Sequence, residues 1–342
     1  MRALETINLI AFAASLAVSL PLVAGFFGSL HPAFDSFAHF RIHLATLLIV
    51  FSLPLLAGSF WRQGLAALAF GIAAIGTVSS ASFIPGLGPV HAAFHPKDET
   101  SAVYRLLQMN LRFDNPEPGK VLSLIGRLRP DVITLNEVSA LWTEKLDLLS
   151  SAYPHRIVCP VQGRAGGVAI LSLRPFAEGQ DAQCTDEGMF ASATIDFGGR
   201  LLEVGALHLH WPWPYEQSRQ IDGLASLLSG MSEAVLLAGD LNAAPWSAAA
   251  ARLAKAGALT PVAPVGPTWL YRKLPESLRF VGLPLDQVLA RGDVLVHSAH
   301  ALEPAGSDHL PVLVEFSLKA ANRAPEEDMN TATASLMPPV GS

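Results

Sequence analysis

Charge is almost missing from the beginning of this chain. Of its 23 Lys and Arg and 29 Asp and Glu residues, only Arg2, Glu5, Asp35, Arg41 and Arg62 precede His95. So little charge excludes an ordinary soluble domain there. Cysteine is scarce too, with Cys159 and Cys184 the only two in 342 residues. They either pair in an oxidising compartment or sit as inert core thiols. An excess of basic residues is also lacking. The net charge is −6, and from Lys97 onward 20 Lys and Arg face 27 Asp and Glu. That balance argues against a protein that holds duplex nucleic acid mainly through its phosphates. No internal repeat is visible.

Long apolar runs fill the space that charge leaves. Residues 7–28, 42–60 and 65–84 are each long enough to cross a bilayer core of about 30 Å. The third is rich in Ala and Gly, which suits close helix packing in lipid. A cleaved signal peptide would explain the first run alone, but not the two that follow. Residues 1–94 are therefore expected to be a membrane anchor of about three transmembrane helices. Arg2 and Arg62 fall on one side and Arg41 on the other, which places the N-terminus in the cytoplasm. Three spans then carry the rest of the chain to the far side, the periplasm of a bacterial inner membrane, whereas two spans, with the third run not crossing, would leave it in the cytoplasm. Residues 95–319 form the folded part, and the polar tail 320–342 is expected to be disordered.

Within 95–319, strands are expected at 103–109, 132–135, 167–173, 191–197, 201–210, 234–239, 285–290, 294–298 and 310–317. Helices are expected at 119–128, 141–149, 217–228 and 247–256. This mixed order argues for a layered α/β domain with paired sheets.

The chemistry sits where those strands end. The stretch AVLLAGDLN runs apolar to Gly239 and then presents Asp240 and Asn242, two residues apart and so on one face. Asn110, Glu137, His208 with His210, Asp286, and Ser307-Asp308-His309 stand at other strand ends or turns. Each taken singly has an ordinary structural explanation as a turn or a solvated loop. Six such clusters together do not. Phosphodiester cleavage needs a cation against the phosphoryl oxygens, an oriented water, and an acid or base near neutrality such as His. Carboxylates and amides without a Cys ligand suit Mg²⁺ or Mn²⁺ rather than Zn²⁺. Arg112, Arg164, Arg272, Lys273 and Arg279 are candidates for secondary phosphate contacts.

The ordered motifs QMN, LNEV, ALH, GDLNA, LDQVL and SDHLPV, spanning about residues 104–318, resemble the endonuclease/exonuclease/phosphatase superfamily. Its relatives include deoxyribonuclease I-like nucleases, abasic-site endonucleases, inositol phosphatases and neutral sphingomyelinases. The resemblance implies a four-layer α/β sandwich of two packed mixed sheets flanked by helices. It implies that Asn110, Glu137 and Asp308 serve the metal, and that Asp240 and Asn242 orient the attacking water and the phosphate. His309 would bind the scissile phosphate or move a proton, with Asp286 orienting it. His208 fits the second catalytic histidine, and His210 is the alternative, with a role in substrate binding. One departure is Asn136, where many relatives carry Gln.

The expectation is thus a membrane-anchored, divalent-metal-dependent phosphodiesterase of nuclease-like mechanism, with no obligate protein partner. A phospholipid or other small phosphoester is the alternative substrate to nucleic acid. The aromatic stretch 211–215 (WPWPY) stacks on a base, rests on lipid or stiffens a loop. A non-catalytic scaffold domain is the reading from another class.

Overall fold

A computed structural model describes residues 2–78, 91–98, 101–161, 163 and 166–319. Arg164, the 320–342 tail and the last part of the third apolar run lie outside the described residues.

The apolar beginning forms four helices: α1 (Arg2–Ala24), α2 (Pro32–Ala38), α3 (Arg41–Leu55) and α4 (Trp61–Gly76). Leu22, Ala45, Leu48 and Ala74 pack at their centre, while Ile7, Ile10, Leu20, Val50, Leu53 and Ile72 point outward. The stretch Leu4–Phe27 is long and apolar enough to cross a membrane. The helices at the second and third runs are shorter than the expected spans, at 15 and 16 residues. The helix α2 is a feature the apolar pattern did not announce. His31 caps it by accepting from the Ala33 amide at 3.1 Å, Pro32 opens its first turn, and it meets α3 at a bend of 64°.

Among the described residues the folded part has twelve strands: β1 (Tyr104–Asn110), β2 (Val132–Val138), β3 (His155–Val158), β4 (Gly167–Ser172), β5 (Gln183–Thr185), β6 (Phe190–Asp196), β7 (Leu201–His208), β8 (Val235–Asp240), β9 (Thr260–Pro261), β10 (Asp286–Arg291), β11 (Val294–Ala301) and β12 (Val312–Leu318). Its helices are α5 (Pro118–Leu128), α6 (Ala140–Leu146), α7 (Gln217–Gly230) and α8 (Ala248–Ala256). One six-stranded sheet runs β11-β12-β1-β2-β4-β3 and the other β5-β6-β7-β8-β10-β9. Each is mixed. The parallel pairs β1/β2 and β7/β8 are joined by crossovers carrying α5 and α7, as parallel strands require.

Three apolar layers hold four structural layers together. Leu106, Val132, Ile170, Val204, Leu236 and Phe316 meet between the sheets. Leu107, Met109, Ile133 and Leu135 on the outer face of the first sheet pack against Val121, Ile125 and Trp142 of α5 and α6. Leu207, Leu237 and Leu289 do the same for the second sheet against Ile221, Leu224 and Leu253 of α7 and α8. The fold is the four-layer α/β sandwich. Because both faces of the central strands are buried, they read in sequence as continuous apolar runs rather than alternating ones.

Cys159 and Cys184 form a disulfide that ties the end of β3 in the first sheet to β5 in the second.

Candidate active site

Between the sheets, the inward-facing side chains of five strands change from apolar to polar at the same end. In β1 the inward row is Tyr104, Leu106, Gln108, Asn110, and in β8 it is Leu236, Ala238, Asp240. Val132-Thr134-Asn136 in β2 and Val204-Ala206-His208 in β7 follow suit. Strand register lines these ends up. Asp240 pairs with His208 on one neighbour and Asp286 on the other, while Asn110 pairs with Asn136 in the facing sheet. Gly239 is needed at its place because a Cβ there would collide with the Leu207 carbonyl of β7.

Asp240 is the centre of the cluster. Its Oδ2 accepts from Asn110 Nδ2 at 3.0 Å and lies 3.6 Å from His309 Nε2 and 3.7 Å from His208 Nε2. Its Oδ1 accepts from the Asn242 amide at 2.9 Å. Burial pushes the Asp240 carboxyl above the ordinary carboxylate range, although the neighbouring His309 pulls the other way. His309 Nδ1 faces Asp286 Oδ2 at 2.8 Å. Burial alone would depress that imidazole, but the carboxylates of Asp286 and Asp240 push it up to about 10. His309 is thereby held protonated at neutral pH, with its Nε2 turned to Asp240. His208 differs, for its Nδ1 is buried with no hydrogen-bond partner, so no carboxylate orients the ring. Its Nε2 meets Asn242 Nδ2 at 3.5 Å.

Glu137 stands at a bulge where β2 slips register against β4, and its φ of 57° is left-handed. Arg112 and Asn242 share this conformation, with φ of 58° and 44°. Three non-glycine residues in so unfavourable a region at one end of a sandwich mark a place where local strain aims side chains. Glu137 is held by Asn110 Nδ2 at 3.1 Å and the Phe113 amide at 2.8 Å, yet among the described residues it has no cationic partner. It opens with Asp308 onto a cleft of about 430 Å³, which Arg112, His208, His210, Trp211, Trp269 and Tyr271 also line. Among the described residues no three His, Cys, Asp or Glu side chains close a cage around a cation. An open, oxygen-rich pair with a neighbouring amide fits Mg²⁺, which keeps several of its waters. Glu137, Asp308 and Asn110 are the residues that would hold it.

Residues 107–309, more than half of the chain, match the Endonuclease/Exonuclease/phosphatase family. The chain belongs to this family. Solved structures of the same fold include the endonuclease/exonuclease/phosphatase from Bacteroides vulgatus, with 16% identity and a TM-score of 0.52 over 64% of this chain and 100% of that one. The human nocturnin catalytic domain follows at 19% identity and a TM-score of 0.50, covering 66% of this chain and 100% of its own. D. rerio TDP2 complexed with single strand DNA product has 17% identity and a TM-score of 0.50, over 63% of this chain and 99% of that one. No curated protein matches the chain by sequence. As a family member the chain is a phosphoric ester hydrolase.

The fold thus brings together the expected endonuclease/exonuclease/phosphatase set of Asn110, Glu137, His208, Asp240, Asn242, Asp286 and His309, with Asp308 on the same cleft. Of the two candidate histidines, His208 touches the Asp240 group, while His210 lines the cleft wall. Arg112 also lines the cleft but donates to Asp114 at 2.6 Å, and that pairing holds the Asp114 carboxyl below its usual range. Arg279 turns away to the Thr268 and Asp308 carbonyls.

Three supporting residues had no role of their own in the sequence reading, although Gln108 stood in QMN and Ser307 beside Asp308 and His309. Gln108 donates to Asn136 Oδ1 at 2.7 Å and to Asp286 Oδ1 at 3.3 Å. Thr268 Oγ1 accepts from the Leu285 and Asp286 amides at 3.1 and 3.0 Å, fixing the start of β10. Ser307 Oγ donates to the Asn110 carbonyl at 2.8 Å and accepts from the His309 amide at 3.1 Å. Gln108 sits two residues before Asn110 and so carried a signal. Thr268 lies in a loop without periodicity and carried none.

Proposed function

We propose that this chain is a membrane-anchored, divalent-metal-dependent phosphodiesterase whose catalytic part works outside the cytoplasm. The observation that carries the reading is the buried Asp286–His309–Asp240 arrangement, with His309 Nδ1 2.8 Å from Asp286 and Nε2 3.6 Å from Asp240, beside the Glu137–Asp308 cleft. When bound, Mg²⁺ or Mn²⁺ would offset charge on the phosphoryl oxygens. Asn110, Glu137 and Asp308 would hold it. Asp240, itself fixed by the Asn242 amide, accepts a proton from the attacking water. His309, oriented by Asp286, donates toward the phosphoryl group, and His208 and Asn242 steady its oxygens. The water oxygen forms the new bond to phosphorus, the bond to the leaving oxygen breaks, and that oxygen leaves with a proton.

The anchor reading rests on Leu4–Phe27 together with the α2–α3 pair and α4. The Cys159–Cys184 bridge supports an oxidising location. Nucleic acid is a second substrate reading, favoured by the DNA product seen with D. rerio TDP2. The acidic balance of the catalytic part weighs against a duplex. A scaffold role is disfavoured because no member of the polar set is missing.

The test is turnover by the full chain in detergent, with Mg²⁺ or Mn²⁺ and then EDTA. Substrates are a chromogenic phosphodiester, a phosphomonoester, DNA, RNA and phospholipid, with Asp240→Ala as the blank. Metal-dependent cleavage that the variant lacks is expected. A folded, metal-binding protein that cleaves none of them would refute the reading.

A further inference from the structure

We propose that the cleft opens at the membrane surface and takes its phosphoester from a membrane lipid, with the loops at 211–215 and 271–281 lying at headgroup depth. This rests on the phosphodiesterase reading above and names its substrate class.

The helical bundle is polar at both ends, and the catalytic part sits on the end that holds Arg41. There the Arg41 guanidinium reaches the Gly25 carbonyl at 3.2 Å and Thr77 Oγ1 at 3.4 Å, and stacks over Phe26 at 4.2 Å. The end of α1, the start of α3 and the residue after α4 thus share one level. An arginine and phenylalanines at such a level are what a bilayer interface selects.

Helix α2 lies at this same end and has two faces. Phe34 and Phe37 are exposed. Asp35, Ala38 and His39, spaced three and four apart, turn instead to the catalytic part. The Asp35 carboxylate accepts from the amides of Ala248 and Ala249 at 2.7 and 2.8 Å, at the start of α8. Trp246 Nε1 donates to the Ala38 carbonyl at 2.7 Å, and His39 Nε2 lies 3.2 Å from the Asn242 carbonyl. The anchor therefore grips the segment that leaves Asp240, which fixes the direction in which the site faces.

Both loops beside the cleft are tied to the same end. The Ser36 hydroxyl lies 3.3 Å from the Trp213 carbonyl, and His43 Nε2 lies 2.8 Å from the Val281 carbonyl. Both loops carry large apolar side chains open to solvent, with Trp213 52% and Phe280 73% exposed, joined by Trp211, Tyr215 and Tyr271, and the second loop also exposes Arg272, Lys273 and Glu276. In water this patch is unfavourable. Next to exposed Phe34 and Phe37 it continues the apolar surface of the anchor, and Trp and Tyr favour the boundary layer. Trp211 and Tyr271 also line the cleft itself, together with Glu137, Asp308 and the cations Arg112 and Arg272. The lining is therefore apolar in part and charged in part. That suits a phosphate carried on an apolar body, and the acidic balance from Lys97 onward disfavours a long polyanion.

The experiment uses the full chain in nanodiscs of phosphatidylcholine and phosphatidylglycerol with Mg²⁺. The native cysteines are bonded to each other, so one introduced cysteine carries a fluorophore. Phe280→Cys reports the rim. Leu201→Cys reports the exposed start of β7, seven residues from His208 at its active-site end. Quenching of the first label by lipid-borne nitroxide, and of the second by aqueous iodide only, is expected. Equal iodide quenching of both, with none from lipid, overturns the placement. In the same discs, release of phosphorylated headgroup is compared with cleavage of single-stranded DNA and of a soluble chromogenic phosphodiester. Lipid turnover exceeding DNA turnover by about tenfold or more, and absent in Asp240→Ala, is expected. Cleavage of the chromogenic diester without lipid turnover, or with DNA preferred, overturns this inference and leaves the phosphodiesterase reading standing. No Asp240-dependent cleavage of any substrate sinks both.

Discussion

Asp286 and His309 face each other across 2.8 Å, buried, at the start of β10 and in the loop before β12. Removing that carboxylate should let the imidazole fall from about 10 toward its ordinary value. For Asp286→Asn the basic limb of the kcat/KM profile should move acidward by about 1–3 pH units, and kcat should drop by about 10²-fold. The stability sign follows from a folded value above the ordinary 6.5. The group adds stability below about pH 6.5, and that stability is lost as pH rises through about 10. The Tm difference between pH 6 and pH 10 should therefore shrink in the variant. An unchanged limb and an unchanged Tm difference would show that Asp286 does not set the state of His309.

Asn136 joins the two sheets. Its Oδ1 accepts from Gln108 Nε2 at 2.7 Å and from the Asp240 amide at 2.9 Å, and its Nδ2 donates to the Leu207 carbonyl at 3.0 Å. Asn136→Ala leaves those buried partners unpaired and should cost about 2–4 kcal/mol. Thermal unfolding measures the loss, and turnover should fall as well because Asp240 loses its support. A variant as stable as the parent would mean that water replaces the amide.

The carboxylate of Asp35 caps α8 from another helix. Asp35→Ala should destabilise the protein by about 1–2 kcal/mol, and Asp35→Asn should recover part of this through its remaining acceptor. The same change should lower kcat on a soluble diester more than it raises KM, because the Asn242 segment is displaced. If kcat stays and only stability moves, α2 is a brace without influence on the site.

The disulfide closes a separation of 25 residues and links the sheets at one edge. Cys184→Ser should lower stability by about 3 kcal/mol, seen as a lower Tm that reductant does not lower further. Turnover of the folded variant should persist, because neither cysteine lines the cleft.

Much of this was readable from local spacing. Side chains two apart on a strand share a face, so Asp240 with Gly239 before it, Glu137 after an apolar run, and the polar end of 104–110 mark a site in the sequence alone. Family motifs added Asp286 and His309. The limits of the strands β3, β5 and β9 were not readable, because short edge strands with half-exposed residues carry no clear period. Helix α2 was missed because it sits between apolar runs and earns its structure from contacts elsewhere.

Hydrophobic period and strand alternation are local properties of the chain, and they made legible an apolar helical beginning followed by a layered α/β domain with polar strand ends. Only the tertiary structure decided which polar ends meet. Asn136 reaches Asp240 across 104 positions and His39 reaches Asn242 across 203. Such pairings depend on sheet register and on how the layers stack, and no short stretch of sequence contains them.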